Sequence, residues 1–185
     1  MLTHTGSDLV DPFRVLAEAG IRERMRVADF GCGFMGHYVF PAAQLVGAKG
    51  KVYAVDILRD ALEMIDRKAR DDAYTNIHSV WSDIEVFHAT RIPDGGLDLA
   101  IIANNLPHLE HPHETAKEIA RLVKRGGNVL VIEWKPTLTH IGPSIEKRLT
   151  PEAVQKIFCL PLFKKIREFD AGRAHYGMVF KRTDG

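Results

Sequence analysis

Short apolar runs alternate along this chain with longer segments whose apolar residues recur at helical spacing. Strands are predicted at residues 26–30, 52–55, 76–82, 97–103 and 129–132. The run at residues 97–103 is nearly continuous, which is typical of a strand covered on both faces. The predicted helices lie at residues 11–20, 36–46, 59–73, 114–124 and 151–160. Because strands and helices alternate, we predict a parallel sheet with helices on both faces.

The chain is expected to end in two strands of opposite direction. Residues 164–169 and 176–181 flank a turn at residues 170–172, which predicts an antiparallel pair. The least regular stretch, residues 135–149, is a candidate lid, because long loops in compact domains are usually functional. Residues 1–25 are interpreted as an N-terminal helical extension of one single domain, residues 1–185.

Length, composition and charge indicate a soluble domain. The chain has 185 residues, of which 45% are hydrophobic and 26% charged, as is usual for a globular protein. The net charge of +1 provides no overall field for binding nucleic acid. Two cysteines, Cys32 and Cys159, cannot form a disulfide framework, and neither a secretory leader nor an apolar run of about 18 residues is visible. We therefore expect a cytoplasmic protein that does not cross a membrane.

A glycine-rich turn follows the first predicted strand. Residues 31–36 read Gly-Cys-Gly-Phe-Met-Gly, and Asp56 ends the second predicted strand. This order is the dinucleotide-binding fingerprint, in which the glycines let a ligand approach the backbone and the acidic side chain binds a ribose diol. Taken alone, the pattern predicts a dinucleotide such as NAD.

Three features favour S-adenosylmethionine. Asp29, just before the glycine turn, would repel a pyrophosphate but attract an α-ammonium group. Asp83, which follows the third predicted strand, can accept a hydrogen bond from an adenine amino group. No tyrosine is followed four residues later by lysine, so this dehydrogenase pattern is missing. An NAD-binding domain remains the alternative.

Four segments resemble the motifs of class I S-adenosylmethionine-dependent methyltransferases, in particular of the small methyltransferase-domain 11/25 type. They are residues 27–36, 52–57, 97–106 and 122–133, in the order that the family has. The resemblance implies an α/β fold, a Rossmann-like three-layer sandwich with a mostly parallel seven-stranded sheet and an antiparallel last strand. It also implies S-adenosyl-L-methionine as the cofactor and S-adenosyl-L-homocysteine as its product.

The resemblance further implies which residues hold the cofactor, all of them at the carboxyl ends of predicted strands, where open α/β sheets bind ligands. They are Asp29, Gly31, Cys32, Gly33, Asp56, Ile57, Asp83, Ile84, Asn104 and Leu106. Asp29 and the glycine turn would hold the methionine part, and Asp56 both ribose hydroxyls. Ile57 would pack on the adenine face, while Asp83 and Ile84 would bind the adenine edge.

The methyl-transfer site is expected beyond the fourth strand, where Asn104 and Leu106 would line it. His108 follows in the same loop, and a base of near-neutral pKa would suit an oxygen or nitrogen acceptor. The same histidine equally fits a hydrogen bond to neighbouring backbone. Because the sulfonium already activates the methyl group, no enzyme nucleophile is needed, and Cys32 is interpreted as packing in the cofactor loop.

Further candidates for contact with the acceptor flank this site. His37 and Tyr38 begin the first crossover helix, where Tyr38 is a candidate catalytic donor or a packing residue. Trp134 ends the fifth strand and would either cover an apolar substrate or shield the end of the sheet. His111 and its neighbouring histidines lack the thiolate or carboxylate set that completes a metal site, so no metal is predicted.

We expect a small organic molecule as acceptor. Residues 105–108 read Asn-Leu-Pro-His, where enzymes that methylate amino groups of nucleic acids and proteins carry Asn-Pro-Pro-aromatic. The aromatic ring that would stack on a flipped base is missing, which disfavours nucleic acid. A methyltransferase for RNA or protein, and a non-catalytic cofactor-binding protein or partner subunit, are the alternatives. Both a monomer and a homodimer with a lid lent by the second subunit fit the sequence.

Overall fold

The computed structural model describes residues 10–137, 141–158 and 161–183, which contain one seven-stranded sheet. The strands are β1 (Arg26–Phe30), β2 (Lys51–Asp56), β3 (Ile77–Trp81), β4 (Leu97–Ala103), β5 (Val123–Trp134), β6 (Phe163–Asp170) and β7 (His175–Arg182). They lie in the order β3-β2-β1-β4-β5-β7-β6. Strand β7 runs antiparallel to both of its neighbours, and the other pairs are parallel. The predicted fold class is therefore confirmed.

Helices cover both faces of the sheet. They are α1 (Pro12–Glu18), α2 (Val39–Val46), α3 (Arg59–Asp71), α4 (Pro112–Leu122) and α5 (Pro151–Phe158). Helices α1, α2 and α3 bury their apolar side chains against one face, and α4 and α5 against the other. In the described ranges, no helix is long and apolar enough to cross a membrane. Cys159, and parts of the predicted extension and candidate lid, lie outside the described residues.

Two element boundaries differ from the sequence prediction by more than two residues. Helix α2 begins at Val39 rather than at Gly36, because Gly31, Gly33 and Gly36 all have positive φ, which a right-handed helix excludes. Strand β5 begins earlier than predicted, at Val123, which pairs with β4. The adjoining glycines at residues 126–127 therefore lie within an irregular strand instead of ending a helix.

The strand order places a ligand crevice next to β1. The chain moves outward from β1 through β2 to β3, and then returns to place β4 on the other side of β1. Open α/β sheets bind ligands at such a reversal, beyond the carboxyl ends of the strands. The predicted cofactor residues lie at these ends or shortly after them, so the fold places them along one edge.

Candidate functional site

The glycine turn is built by close backbone contacts at the end of β1. The amide groups of Gly31 and Cys32 donate to the carbonyl of Val55 in β2, at 2.8 and 3.1 Å. Gly31 has φ +71, and a Cβ built there would lie 2.5 Å from Nδ2 of Asn105. Glycine is therefore required at this position both for the backbone conformation and for the close approach of Asn105.

Asn105 holds the turn in place, a role that the sequence analysis missed. Its Nδ2 lies 3.2 Å from the carbonyl oxygen of Phe30, 3.0 Å from that of Gly31 and 2.9 Å from that of Ala103. These contacts connect the ends of β1 and β4, the two strands that border the crevice. The side-chain amide of Asn105 thus holds the backbone of the glycine turn, which contains predicted cofactor residues.

Replacing Asn105 with alanine is expected to lower the free energy of unfolding by about 2 kcal/mol, because buried carbonyls lose their donor. Asn105→Asp should be more harmful, since a carboxylate would face carbonyl oxygens. Urea unfolding measures both effects, and calorimetry should show weaker S-adenosylhomocysteine binding for both variants. Wild-type stability of Asn105→Asp would contradict this role.

Asp56 is oriented by the backbone around it. Its Oδ2 accepts from the Gly33 amide and its Oδ1 from the Leu58 amide, each at 2.9 Å. The Cys32 thiol, a weak donor, also lies 4.0 Å from Oδ2. A carboxylate oxygen can accept two hydrogen bonds, so Oδ1 retains capacity for a ribose hydroxyl, and a second hydroxyl at Oδ2 would replace the thiol contact. A Cβ built on Gly33 would meet nothing within 4 Å, so the face of the turn beside Asp56 is open.

The predicted adenine residues lie at the ends of β2 and β3. Ile57 is 55% exposed, as contact with a ligand face requires, and its carbonyl accepts from Nε1 of Trp81. Asp83 is half-buried and its Oδ1 accepts from the Glu85 amide at 2.9 Å, which leaves Oδ2 for a donor. Ile84 is buried in the core below. These positions are compatible with the predicted adenine contacts.

Asp29 is a buried carboxyl group with an unused oxygen. Its exposed fraction is 2%, and its Oδ2 has no hydrogen-bond partner. Burial, and then the negative charge of Asp56, raise the pKa of Asp29 to about 7. A cation placed beside Asp29 would reverse this shift, because it stabilises the charged form.

Buried polar atoms without partners concentrate at this edge of the sheet. Six of the nine such atoms in the described residues belong to a group that we call the edge cluster: Asp29, His37, Asn104, Glu133 and His175. Three of these residues belong to β1, β5 and β7, and Asn104 directly follows β4. Buried polar groups are normally paired, so a concentration of unpaired ones indicates a place for a ligand or water.

Tyr38 and Cys32 are buried beside the edge cluster. The ring of Tyr38 packs against that of His37, with centroids 4.8 Å apart, and its exposed fraction is 5%. Burial, and then the charges of Asp29 and Glu133, raise the pKa of the Tyr38 hydroxyl. Burial likewise raises the pKa of the Cys32 thiol. Both groups stay protonated at neutral pH, which agrees with packing for Cys32 and with a hydrogen-bond donor for Tyr38.

Glu133 lies beneath the predicted methyl-transfer site. It is fully buried, and its Oε1 accepts from the backbone amide of Leu106 at 3.3 Å. Burial raises the pKa of Glu133 to about 8, so its carboxyl group is mainly protonated at neutral pH. Leu106 is also buried. Glu133 therefore contacts the backbone that carries Leu106 and has no exposure to solvent.

His108 and Asn104 lie at different depths in the same loop. Asn104 has φ +56 and its Oδ1 is buried without a partner. His108 ends a short 3-10 helix, Leu106–His108, and is exposed. The structure does not bring His108 into the edge cluster.

Trp134 is packed between the candidate lid and β7. Its ring centroid lies 4.0 Å from that of His175, and the Arg148 guanidinium lies 5.4 Å from the Trp134 ring centroid. A Cβ built on Gly142 would come within 2.6 Å of the indole. Trp134 thus supports the lid on one side, and its side chain is half-buried.

Arg148 organises the candidate lid, residues 135–149. Its guanidinium donates five hydrogen bonds to four backbone carbonyls of this segment, at 2.8 to 3.1 Å. The acceptors are Lys135, Thr137, Ile141 and Pro143. Only the planar fork of an arginine can serve so many carbonyls at once.

Arg148→Lys is therefore expected to loosen the segment, although it keeps the charge. We expect a loss of about 2 kcal/mol, since a buried donor network is broken, and a fall in Tm of roughly 4–8 °C. Proteinase K should then cleave within residues 135–149. The exposed Arg173→Lys is the matched control, and equal protease resistance of both variants would contradict the role of Arg148.

The residues present fit S-adenosylmethionine. Asp29 offers a buried, unpaired carboxyl oxygen to an ammonium group, Asp56 offers two oriented oxygens to a diol, and Gly33 leaves the turn open. Among the described residues, no group of three or more His, Cys, Asp or Glu side chains is arranged to hold a metal ion.

Comparison with known families decides the identity of this fold. A family model described as "Methyltransferase domain" matches residues 21–160. The chain belongs to the methyltransferase domain family. Its class I fold and its cofactor, S-adenosylmethionine, are those that the motif resemblance implied. The matched range includes every predicted cofactor residue of the chain, but not His175.

Similar proteins include both curated and structurally determined methyltransferases. The chain is 26% identical over 163 residues to the ubiquinone/menaquinone biosynthesis C-methyltransferase UbiE of Laribacter hongkongensis, covering 87% of this chain and 61% of that protein. It is 33% identical over 121 residues to the protein of the same name from Pseudomonas entomophila, covering 64% and 46%. A SAM dependent methyltransferase from Aquifex aeolicus has a crystal structure with a TM-score of 0.90 at 26% identity, covering 98% and 94%. The chain thus spans less than two thirds of these two curated relatives.

Proposed function

We propose that this methyltransferase transfers the methyl group of S-adenosylmethionine to a small organic acceptor. The observation that carries the proposal is the position of the edge cluster, whose unpartnered polar atoms belong to residues at the ends of β1, β4, β5 and β7 and to His37 in the segment before α2. Leaving a buried polar group unpaired costs about 1–3 kcal/mol. A ligand that pairs with these atoms would offset that cost.

The chain's own residues have three tasks in such a reaction: they align the acceptor, exclude water and accept a proton. When bound, the cofactor supplies a methyl group already activated by its sulfonium. Asp29 would hold the ammonium group and Asp56 the ribose, which fixes the position of the methyl group. Asn104 and Leu106 would line the path to the acceptor, and exposed His108 remains one candidate proton acceptor.

The acceptor class rests on charge and on the relatives. The net charge of +1 offers no field for a polyanion, which disfavours RNA. The curated relatives are named C-methyltransferases, so carbon is one candidate for the methylated atom here. We propose that the chain acts in the cytoplasm, as a monomer or a homodimer.

Calorimetric titration with S-adenosylhomocysteine tests the proposal, with NAD as the parallel ligand. We expect micromolar binding of the former and no binding of NAD. Transfer of labelled methyl groups is then measured with small molecules, RNA and protein as acceptors. Absence of S-adenosylhomocysteine binding would refute the proposed function, and labelling of RNA or protein alone would replace the small acceptor.

A further inference from the structure

Asp83, the predicted adenine contact, lies in a long segment without regular structure. This segment, residues 82–96, connects β3 to β4 and contains neither a helix nor a strand, and we call it the β3–β4 segment. Backbone polar groups outside helices and sheets need other partners when they are buried. Side chains of α4 provide several of these partners for the β3–β4 segment.

Two side chains of α4 hold the middle of the β3–β4 segment. Glu118 is fully buried, and its Oε2 and Oε1 accept from the amides of His88 and Thr90 at 2.9 and 3.1 Å. Arg121 donates to the Thr90 carbonyl at 3.0 Å and to the Ile92 carbonyl at 3.4 Å. The two side chains also bind each other, from Nε to Oε2 at 2.9 Å and from Nη2 to Oε1 at 2.6 Å. We call them the Glu118–Arg121 pair.

The carboxylate of Glu118 is fully occupied by these contacts. Each of its oxygens accepts one backbone amide and one Arg121 donor, and a carboxylate oxygen can accept two hydrogen bonds. Burial raises the pKa of Glu118, but the hydrogen bonds from Arg121 and from the two backbone amides outweigh this effect, so the pKa is lowered overall. Glu118 is therefore charged at neutral pH and binds the segment rather than a ligand.

Thr90 connects the Glu118–Arg121 pair to Asp83. Thr90 and Ser82 are both buried, and their hydroxyl oxygens lie 2.9 Å apart. The Ser82 hydroxyl donates to the Asp83 carbonyl at 3.3 Å, so Thr90 is the donor in the contact between the two hydroxyls. The Ser82 amide donates to the Asp56 carbonyl at 3.1 Å. The backbone next to Asp83 is thus bound both to Thr90 and to Asp56, the predicted ribose contact.

The arrangement contains two features that are unfavourable for a connection that only closes a loop. His88 has φ +65, a conformation that few residues other than glycine adopt. A buried ion pair often stabilises a fold no better than apolar side chains of similar volume. Strained backbone persists where the surrounding contacts impose it, and it is typical of functional sites. Both features indicate that the position of the β3–β4 segment matters.

We propose that the Glu118–Arg121 pair determines selectivity for adenine. It holds the β3–β4 segment so that the distance between the Asp83 and Asp56 carboxylates matches the distance between the adenine amino group and the ribose hydroxyls. Glu118 and Arg121 are positioning residues, because they contact the segment and not the ligand. The inference rests on the proposed function, with Asp83 as the adenine contact, and it assigns a role to two side chains outside the four motif segments.

Calorimetric titration of the full chain with two ligands tests the inference. S-inosylhomocysteine carries a carbonyl oxygen where S-adenosylhomocysteine carries the adenine amino group, so it offers Asp83 an acceptor instead of a donor. We expect the wild type to bind S-adenosylhomocysteine at least about tenfold more tightly. The ratio of the two affinities, the adenine selectivity, reports on the base edge, because both ligands share the ribose and methionine parts. Asp83→Ala should lower this ratio.

Two variants disturb the position of Asp83 without changing Asp83 itself. Glu118→Gln should lower the adenine selectivity about tenfold, because its amide nitrogen would face donors that the carboxylate accepts. Thr90→Val should lower it about threefold, because only the hydroxyl contact with Ser82 is lost. In both variants the affinity for S-inosylhomocysteine should stay within about twofold of the wild-type value, since its weaker base contact leaves little to lose.

Helix α4 offers a matched control for each variant. Glu114→Gln changes an exposed carboxylate that pairs with Lys117 three residues later, as Glu118 pairs with Arg121. Thr115→Val removes a buried hydroxyl that has no partner among the described residues. Both controls should keep the wild-type adenine selectivity.

The outcomes distinguish positioning from a purely structural role. A structural role predicts that Glu118→Gln and Thr90→Val lower the Tm, or weaken both ligands by the same factor, and unchanged selectivity in these variants would overturn the inference. If Glu118→Gln does not fold, Thr90→Val decides alone. A wild type that binds both ligands equally well would also overturn the inference. A wild type that does not bind S-adenosylhomocysteine would refute the proposed function and the inference together.

Discussion

Asp56→Ala is expected to lower the affinity for S-adenosylhomocysteine by about a hundredfold. Two hydrogen bonds between ribose hydroxyls and a carboxylate contribute about 1.5–3 kcal/mol each, and 1.4 kcal/mol corresponds to a factor of ten. The structure adds a second cause, because the same carboxylate holds the amides of Gly33 and Leu58. The variant should therefore also lose about 1–2 kcal/mol of stability while remaining folded.

Calorimetry and urea unfolding measure the two consequences of Asp56→Ala separately. Asp60→Ala is the matched control. Asp60 is an exposed carboxylate in the first turn of α3, and its substitution removes the same charge. The control should bind S-adenosylhomocysteine as the wild type does. Undiminished affinity of Asp56→Ala would show that the ribose assignment is wrong.

The sequence was sufficient to predict the strands that build the crevice. The run that forms β4 is nearly continuously apolar because both faces of this strand are covered. The glycine turn was equally clear, since positive φ at Gly31 and Gly33 restricts the residue types that fit. Strand burial and backbone conformation leave local signals that predicted the elements of the crevice, and the resemblance of four motifs supplied the family and the cofactor.

Features that depend on distant contacts could not be predicted in the same way. The sequence shows Asn105 in the loop after the fourth strand, but its three carbonyl partners become neighbours only when β1 and β4 pair. His175 lies at the site because it pairs with Trp134 across β5 and β7. The sequence alone does not determine the register of an antiparallel pair, so this position could not be predicted. The boundary between α4 and β5 was wrong because two glycines are as compatible with an irregular strand as with the end of a helix.

Asp29→Asn is expected to make the free protein more stable and to weaken cofactor binding by about a hundredfold or more. In the unfolded chain the carboxyl loses its proton near its ordinary pKa of 3.8, but in the folded protein only near 7. The stability of the free protein therefore falls as the pH rises between these values, by at most about 4 kcal/mol. The asparagine removes this cost but cannot form an ion pair with the ammonium group.

The pH dependence of binding follows from the same carboxyl group. S-adenosylhomocysteine binds the charged form of Asp29, so the free protein must first release a proton when the pH is below about 7. Affinity should thus be roughly tenfold weaker near pH 6 than near pH 8, provided that the ammonium group stays protonated. Calorimetry in buffers of different ionisation enthalpy should detect the released proton, and Asp29→Asn should show neither the proton release nor this pH dependence.

Measuring both properties of Asp29→Asn distinguishes a binding role from a structural one. If the carboxyl group of Asp29 stabilised the fold by packing, its replacement would lower the free energy of unfolding. If the group is kept for a ligand, its replacement should raise the free energy of unfolding of the free protein. If Asp29→Asn bound S-adenosylhomocysteine with wild-type affinity, the assignment of Asp29 to the ammonium group would be wrong. A lower free energy of unfolding than that of the wild type near pH 7 would contradict it as well. Greater stability with lost binding would show that the unpaired oxygen of Asp29 is maintained for the cofactor.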